Sequence, residues 1–348
     1  MAGHNDLTKI PVLNLYYLLS YAWDKLEEAQ QTDVSQSDHQ DSLSLFARIL
    51  CSGTERLLKR GLDRGYTEHK ELVNRIRGSV DFAASISRTF MKMPRLVCDF
   101  DEFERDILHN RILKTTIRNL LFCEGLDRAY HNELRLLHGR LSGITEIALT
   151  KRSFSMVKLN RNNWYYDFLM KVCELIFECL TPSENAGRYK YQDFVRNHSK
   201  MAQLFEAFVL NFYKKEQNTY SVKGETIEWD ITENARPESL AVLPRMNTDI
   251  SLESDKHKII IDTKFYHDTL SQNYGKELAK SSNLYQIFAY LMNDTHPNNE
   301  GILLYPETSA AADYSWCIKG RRISVRTINL NRPWPVIHED LLGIIGLA

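Results

Sequence analysis

Paired cysteines, long apolar runs and an excess of either charge are all missing from this 348-residue chain. Its six cysteines, at positions 51, 98, 123, 173, 179 and 317, form no CxxC pair and have no histidines at zinc-ligand spacing. That argues against a zinc framework and predicts small buried hydrophobes in a reducing compartment. Charge interrupts every apolar stretch within a few residues, so no segment is expected to cross a bilayer. The opening MAGHNDLTKIPVLNLYYLLSYAW has neither a basic leader nor a small-residue cleavage site. A secretory signal is therefore not expected, and the chain reads as cytoplasmic. Lys and Arg number 44 against 45 Asp and Glu, a formal net charge of -1. Proteins that wrap DNA unaided usually carry a strong basic excess, so this balance counts against an autonomous tight DNA binder.

What is present is core-forming material. The chain is 43% hydrophobic, with 17 Tyr, 15 Phe and 5 Trp, enough for two ordinary cores. Helical spacing is expected over 10–28, 42–60, 110–123, 133–141 and 165–180, with Thr181-Pro182-Ser183 ending the last. A polar stretch over 30–41 reads as an exposed loop, and 61–97 as small strands and hairpins punctuated by Gly61, Gly65, Gly78 and Pro94. The second half changes character. A helix over 200–215 precedes strands over 246–253 and 259–266, a helix over 276–293, and strands over 301–305 and 323–330. This order suits an α/β sandwich with a mixed central sheet, behind a mixed α+β first domain. The boundary is expected near residue 160, giving domains 1–160 and 161–348.

The stretch that carries chemistry is Asn247-Thr248-Asp249-Ile250, followed by KIIIDTKFY over 258–266. On adjacent antiparallel strands, Asp249 and Asp262 can point toward one end of the sheet. Asp262 and Lys264 are two apart, so on a strand they share a face. Ile259-Ile260-Ile261 reads as a strand buried on both sides, and an acid and an amine at its end are costly unless they serve each other or an ion. Two carboxylates and a main-chain carbonyl would make an oxygen-rich site for Mg²⁺. Such a metal polarises a phosphodiester and acidifies a bound water, while Lys264 orients that water and offsets phosphate charge. By itself, however, such a triplet is more often a strand-end ion pair of Asp262 with Lys264 beside a surface Asp249.

Flanking helices add candidates without deciding their roles. Leu204, Phe205, Phe208, Val209 and Phe212 form an apolar stripe at helical spacing, with Glu206 at its edge. Glu206 is either a further metal or water ligand or a solvated helix-edge glutamate. In NLYQIFAYL the expected core stripe is Leu284, Ile287, Phe288 and Leu291. Gln286 and Tyr290, four apart, project together on the other side, either toward a scissile strand or toward water.

The succession FE, TD, IDTK and a helix with Q-x-x-x-Y resembles the PD-(D/E)XK nuclease fold in its RecB-like branch. Nearly the full length is similar to the McrC family, through IPVLNLYYLLSYAW, RIRGSVDFAASI, CDFDEFERDILHNRILK, LLPRMNTDISL, IDTKFY, NLYQIFAYL and WPVIHEDLL. The resemblance implies the DNA-cutting subunit of a modification-dependent restriction system, working on double-stranded DNA carrying methylated cytosine. It implies a hexameric AAA+ partner of the McrB type that binds and hydrolyses GTP, engaged and stimulated by residues 1–160. It maps Asp249, Asp262 and Lys264 onto the family's catalytic positions, and Glu206 and Gln286 onto accessory ones. Thr263, whose main-chain carbonyl the metal would use by this resemblance, stands where many relatives carry Ala. In keeping with a GTP-binding partner, this chain has no GxxxxGK[ST] phosphate loop; Tyr274-Gly275-Lys276 lacks the context.

The first half offers no chemical site of its own. Tyr16, Tyr17, Tyr21 and Trp23 read most simply as core and interface aromatics. Arg75-Ile76-Arg77-Gly78-Ser79 is either a basic tip for a partner or DNA, or an ordinary hairpin. Arg188-Tyr189-Lys190-Tyr191 and Arg196 suit phosphate contact or a solvated face equally. His257 and His267 are not needed as ligands, because carboxylates already satisfy magnesium. Two other readings stay open: an autonomous RecB-like nuclease, and a non-catalytic adaptor that keeps the fold.

Overall fold

The two expected cores form, but the chain is shared between them differently. The computed structural model describes residues 10–29, 41–88, 95–159, 163–231, 236–265, 270–273, 276–307 and 311–347. Most of the expected loop over 30–41, together with Tyr266 and His267, lies outside the described residues. The chain divides into two compact units. One joins helices α1 (Val12–Ala22) and α2 (Leu26–Ala29) to the residues from Asp193 onward, and the other holds Asp41 to Gln192. The division therefore falls at 192–193 rather than near 160, and the N-terminal helix belongs with the C-terminal half.

The middle unit contains α3 (Ser42–Arg60), β1 (Gly65–Val73), β2 (Ser79–Val80), α4 (Phe82–Arg88), β3 (Leu96–Glu104), α5 (Leu108–Leu121) and β4 (Cys123–Glu124). It continues with α6 (Arg128–Arg140), α7 (Lys151–Ser155), α8 (Trp164–Cys179), β5 (Leu180–Pro182) and β6 (Tyr189–Tyr191). Asp41 starts α3 by accepting a hydrogen bond from the Ser44 N–H at 2.7 Å. Where short hairpins were expected, β1 and β3 pair antiparallel over nine residues each, from Gly65–Glu104 to Val73–Leu96. Gly78 permits the approach of the β2 segment, since a Cβ there would lie 2.2 Å from the Asp99 carbonyl and its φ is +63°. The basic tip folds back onto this ribbon: the Arg77 guanidinium lies 4.7 Å over the Phe100 ring and pairs with Glu102 at 3.8 Å. Tyr191 likewise serves structure, its hydroxyl 2.8 Å from that of Ser42.

After Asp193 come α9 (His198–Glu216), β7 (Ser221–Lys223), β8 (Thr226–Ile227), α10 (Pro237–Ala241), β9 (Met246–Asn247), β10 (Ile250–Glu253) and β11 (Lys258–Thr263). Then follow β12 (Leu270–Asn273), β13 (Lys276–Ala279), α11 (Ser281–Asn293), β14 (Asn299–Pro306), β15 (Asp313–Ile318), β16 (Arg321–Ile328) and α12 (Trp334–Ile344). The expected helix over 276–293 thus starts later, because Lys276–Ala279 pairs antiparallel with Leu270–Asn273. Six strands form a mixed sheet in the order β15-β16-β14-β11-β10-β7, with β11, β14 and β16 parallel and the others antiparallel.

Aromatic packing explains why α1 joins this unit. Tyr21 meets Phe208 and Phe212 of α9 and Trp334 of α12, while Tyr17 stacks on Trp334 at 4.5 Å. Polar ties fix the register: the Tyr21 hydroxyl donates to Glu216 at 2.6 Å, and Asn211 Nδ2 donates to the carbonyls of Tyr21 and Ala22. Trp334 and the α12 helix give no sequence signal strong enough to announce this role. Of the six cysteines, five are buried as expected, whereas Cys317 on the edge strand β15 is exposed.

On another face of the core, Ile287, Tyr290 and Leu291 of α11 pack on Ile260, Leu303, Ile323 and Val325. Gly301 of β14 allows that helix to approach, since a Cβ there would lie 2.6 Å from Ile287 and 3.0 Å from Leu291. Gly301→Val is therefore expected to destabilise the protein by about 1–3 kcal/mol through overpacking. Denaturant unfolding measures this, and an unchanged midpoint would mean α11 moves freely on the sheet.

Candidate functional site

Strand β11 is buried along its whole length, between parallel β14 and antiparallel β10. Three isoleucines supply that burial, and Asp262 and Thr263 close the strand. The Lys264 N–H still donates to the Leu304 carbonyl at 2.9 Å, so the ladder carries Lys264 just past the strand end. On the other side, β10 pairs with β11 as far as Ile250 with Ile261. One step further the register sets Asp249 across from Asp262 on the same face. The expected single strand over 246–253 breaks between β9 and β10, and Asp249 sits in that break.

Asp262 has no exposed surface. Lys264 Nζ stands 2.8 Å from Oδ2 as an ion pair, while Oδ1 meets no hydrogen-bond donor among the described residues. Burial pushes the Asp262 carboxyl up to about 6 against the pull of Lys264, and the charges of Asp249 and Glu206 push the same way. Asp249 is half-buried, and its Oδ2 accepts both the Thr263 N–H at 2.8 Å and the Thr263 hydroxyl at 2.9 Å.

Helix α9 brings Glu206 to the same place. Its expected stripe of Leu204, Phe205, Phe208, Val209 and Phe212 is buried. Phe265, next after Lys264, packs against Phe205 and His198 and so docks the helix at this strand end. Glu206 is exposed as a residue, yet partial burial raises its carboxyl, Asp249 raises it further, and Lys264 opposes them.

Gln286 and Tyr290 do sit together, but not on a solvent face. Tyr290 is only 5% exposed and belongs to the α11 core, against the expected stripe. Gln286 Nε2 donates to the Tyr290 hydroxyl at 2.7 Å, which donates in turn to the Asn247 carbonyl at 2.8 Å. The pair therefore braces the segment that carries Asp249. Burial raises the Tyr290 hydroxyl pKa against the Gln286 hydrogen bond, and Asp262 and Asp249 raise it further.

The other end of β11 offers a contrast. Lys258, 5% exposed, pairs with Glu225 at 2.8 Å and with Asp294. Burial pushes those two carboxyls up, yet hydrogen bonds led by Lys258 hold both below the usual carboxylate range. That ionic cluster is closed. At the Asp262 end three acids share one lysine, and a buried acceptor is left over. Among the described residues no three His, Cys, Asp or Glu side chains converge on one metal-sized point. The fit to a hard divalent cation rests instead on two carboxylates, an unmet buried oxygen and a strand-end carbonyl, with waters completing the shell. The Thr263 side chain and the Asn247 carbonyl were missed from sequence. Their contacts span 14 and 43 positions, and no local pattern marks them.

Comparison with known proteins places the chain. The family model for a McrBC 5-methylcytosine restriction system component matches residues 9–306. The type IV methyl-directed restriction enzyme EcoKMcrBC of Escherichia coli (strain K12) is 34% identical over 338 residues, covering 96% of this chain and 97% of that protein. The chain belongs to the McrBC restriction-component family. Its fold is similar to a chain in a refined half-complex from the tetradecameric assembly of Thermococcus gammatolerans McrB AAA+ hexamers with bound McrC. The TM-score is 0.60 at 16% identity, over 96% of this chain and 76% of that one. The mixed α/β architecture expected from sequence is thus shared with a restriction-complex structure.

Charge on Asp262 is disfavoured in its site, so Asp262→Asn is expected to stabilise the metal-free protein at pH 8 by about 1–3 kcal/mol. The folded carboxyl titrates near 6 against an ordinary value of 3.8, so the native protein gains stability as pH falls through 6. The variant's advantage therefore shrinks over that range. Calorimetric melts at several pH values check this, and a lower melting point for the variant at pH 8 contradicts it.

Proposed function

We propose that this chain is the DNA-cleaving subunit of a GTP-dependent, methylcytosine-directed restriction complex, hydrolysing phosphodiesters with Mg²⁺ at Asp249, Asp262 and Lys264. The observation that carries the reading is the fully buried Asp262 carboxylate, with one oxygen on Lys264 and the other unmet, beside Asp249 from the neighbouring segment. A desolvated anion at the end of an interior strand is costly to fold, and a cation is the partner that offsets it.

Asp249, Asp262 and the Thr263 carbonyl would hold Mg²⁺, which supplies phosphoryl polarisation and acidification of a coordinated water. Lys264, its ammonium 2.8 Å from Asp262, would offer its charge to the phosphate and orient the attacking water. Glu206, exposed on α9, bears on the same charges and serves as an outer acid near the water. Gln286 and Tyr290 act one step removed, by holding the Asn247 carbonyl and hence the Asp249 segment.

The family membership supports the restriction role, and the near-neutral charge supports delivery to DNA by a partner. We read the middle unit as the part that engages a hexameric AAA+ partner like that of the Thermococcus assembly, and stimulates GTP hydrolysis by that partner. GTP belongs to that partner, and the complex works in the cytoplasm, where cellular DNA is reached. No helix of the described residues is long and apolar enough to cross a membrane.

Asp262→Asn and Lys264→Ala are each expected to lower cleavage of methylated DNA at least about 100-fold, while stimulation of partner GTP hydrolysis stays intact. The measurement is paired cleavage and GTPase assays on the reconstituted complex. Cutting at the normal rate by either variant would remove the site assignment.

A further inference from the structure

Thr263 lies between Asp262 and Lys264, and the reading above uses only its main-chain carbonyl. Its side chain has a separate task. The Thr263 N–H and Oγ1 both donate to one oxygen of Asp249, Oδ2, at 2.8 and 2.9 Å. Two donors on one oxygen fix the rotation of the carboxylate and leave Oδ1 as its open acceptor. Thr263 is 8% exposed, so bulk water does not readily replace the hydroxyl.

Asp249 needs this support because it sits outside the strand ladder, in the break between β9 and β10. The main chain beside it is already held. The Thr248 N–H donates to the Glu225 carbonyl at 2.8 Å, and Tyr290 grips the Asn247 carbonyl. Those bonds place the Asp249 backbone but leave its side-chain torsions free. Thr263 alone among the described residues reaches the carboxylate with donors.

We infer that the Thr263 hydroxyl is a positioning residue that selects Oδ1 as the Asp249 atom presented to a divalent cation. This rests on the nuclease reading of the site. Partners that orient a metal-binding carboxylate typically change metal affinity by about 10–100-fold when removed. One of the two donors, the N–H, survives replacement of Thr263 by Val, Ala or Ser, so the lower end of that range applies.

The test is equilibrium Mg²⁺ binding to the full chain by calorimetry, repeated with Mn²⁺ by electron paramagnetic resonance. Thr263→Val, which keeps the shape and loses the hydroxyl, is expected to weaken binding about tenfold. Thr263→Ser is expected to restore it. A purely packing role would leave the metal affinity of Thr263→Val unchanged and show only in its unfolding. If Thr263→Val fails to fold, Thr263→Ala carries the same expectation. Wild-type affinity in a folded hydroxyl-free variant, with binding lost in Asp262→Asn, overturns the positioning role and leaves the nuclease site standing. No Asp262-dependent Mg²⁺ binding in the wild-type chain overturns both.

Discussion

A carboxylate held at zero exposure governs this site: Asp262, at the end of a strand that is buried throughout. An ion so placed loses its hydration and must regain it from neighbours. Lys264 supplies part, at 2.8 Å, but its pull does not outweigh burial, and the carboxyl stays near 6. Everything around Asp262 reflects that imbalance. Asp249 and Glu206 add negative charge where the local structure alone would call for positive charge. An arrangement that raises its own electrostatic cost suits a site with an external ligand.

The same strand shows the alternative at its other end. Lys258 is also buried, but two carboxylates meet it and the cluster closes on itself. One strand thus carries a completed ionic cluster at its start and an incomplete one at its finish. The completed cluster ties β11 to the C-terminal end of α11 through Asp294, and it holds Glu225, whose carbonyl accepts the Thr248 N–H beside Asp249. The open site is therefore built on a rigid base, as sites requiring fixed ligand geometry generally are.

Helix α11 illustrates how structure changed the meaning of a motif that sequence had found. Gln286 and Tyr290 were legible as an i, i+4 pair, and they do interact. Helical periodicity set them opposite the core, whereas Tyr290 lies within it and spends its hydroxyl on main chain. The segment carrying Met246 and Asn247 covers that edge of the helix, and Tyr290 packs in one cluster with Met246 and bonds the Asn247 carbonyl. A helical wheel assumes one buried stripe, and a helix wedged against a sheet end buries more. Helical spacing extends back over Lys276–Ala279, yet those residues form a strand. Local propensity cannot see the strand Leu270–Asn273 that captures it.

By itself the sequence determined the sheet-centred fold of the second half and the buried β11 strand, because β-branched runs make interior strands and apolar stripes mark helices. Spacing alone left the roles of Asp249, Asp262, Lys264 and Glu206 open, and only the family resemblance singled them out. Tertiary structure alone decided that α1 completes the C-terminal unit, because its aromatic contacts with α9 and α12 join residues about 190 and 310 positions apart. It also decided that Thr263 grips Asp249 and that Tyr290 holds Asn247. Such contacts depend on which atoms meet when strands and helices are brought together, and no window of sequence contains both partners.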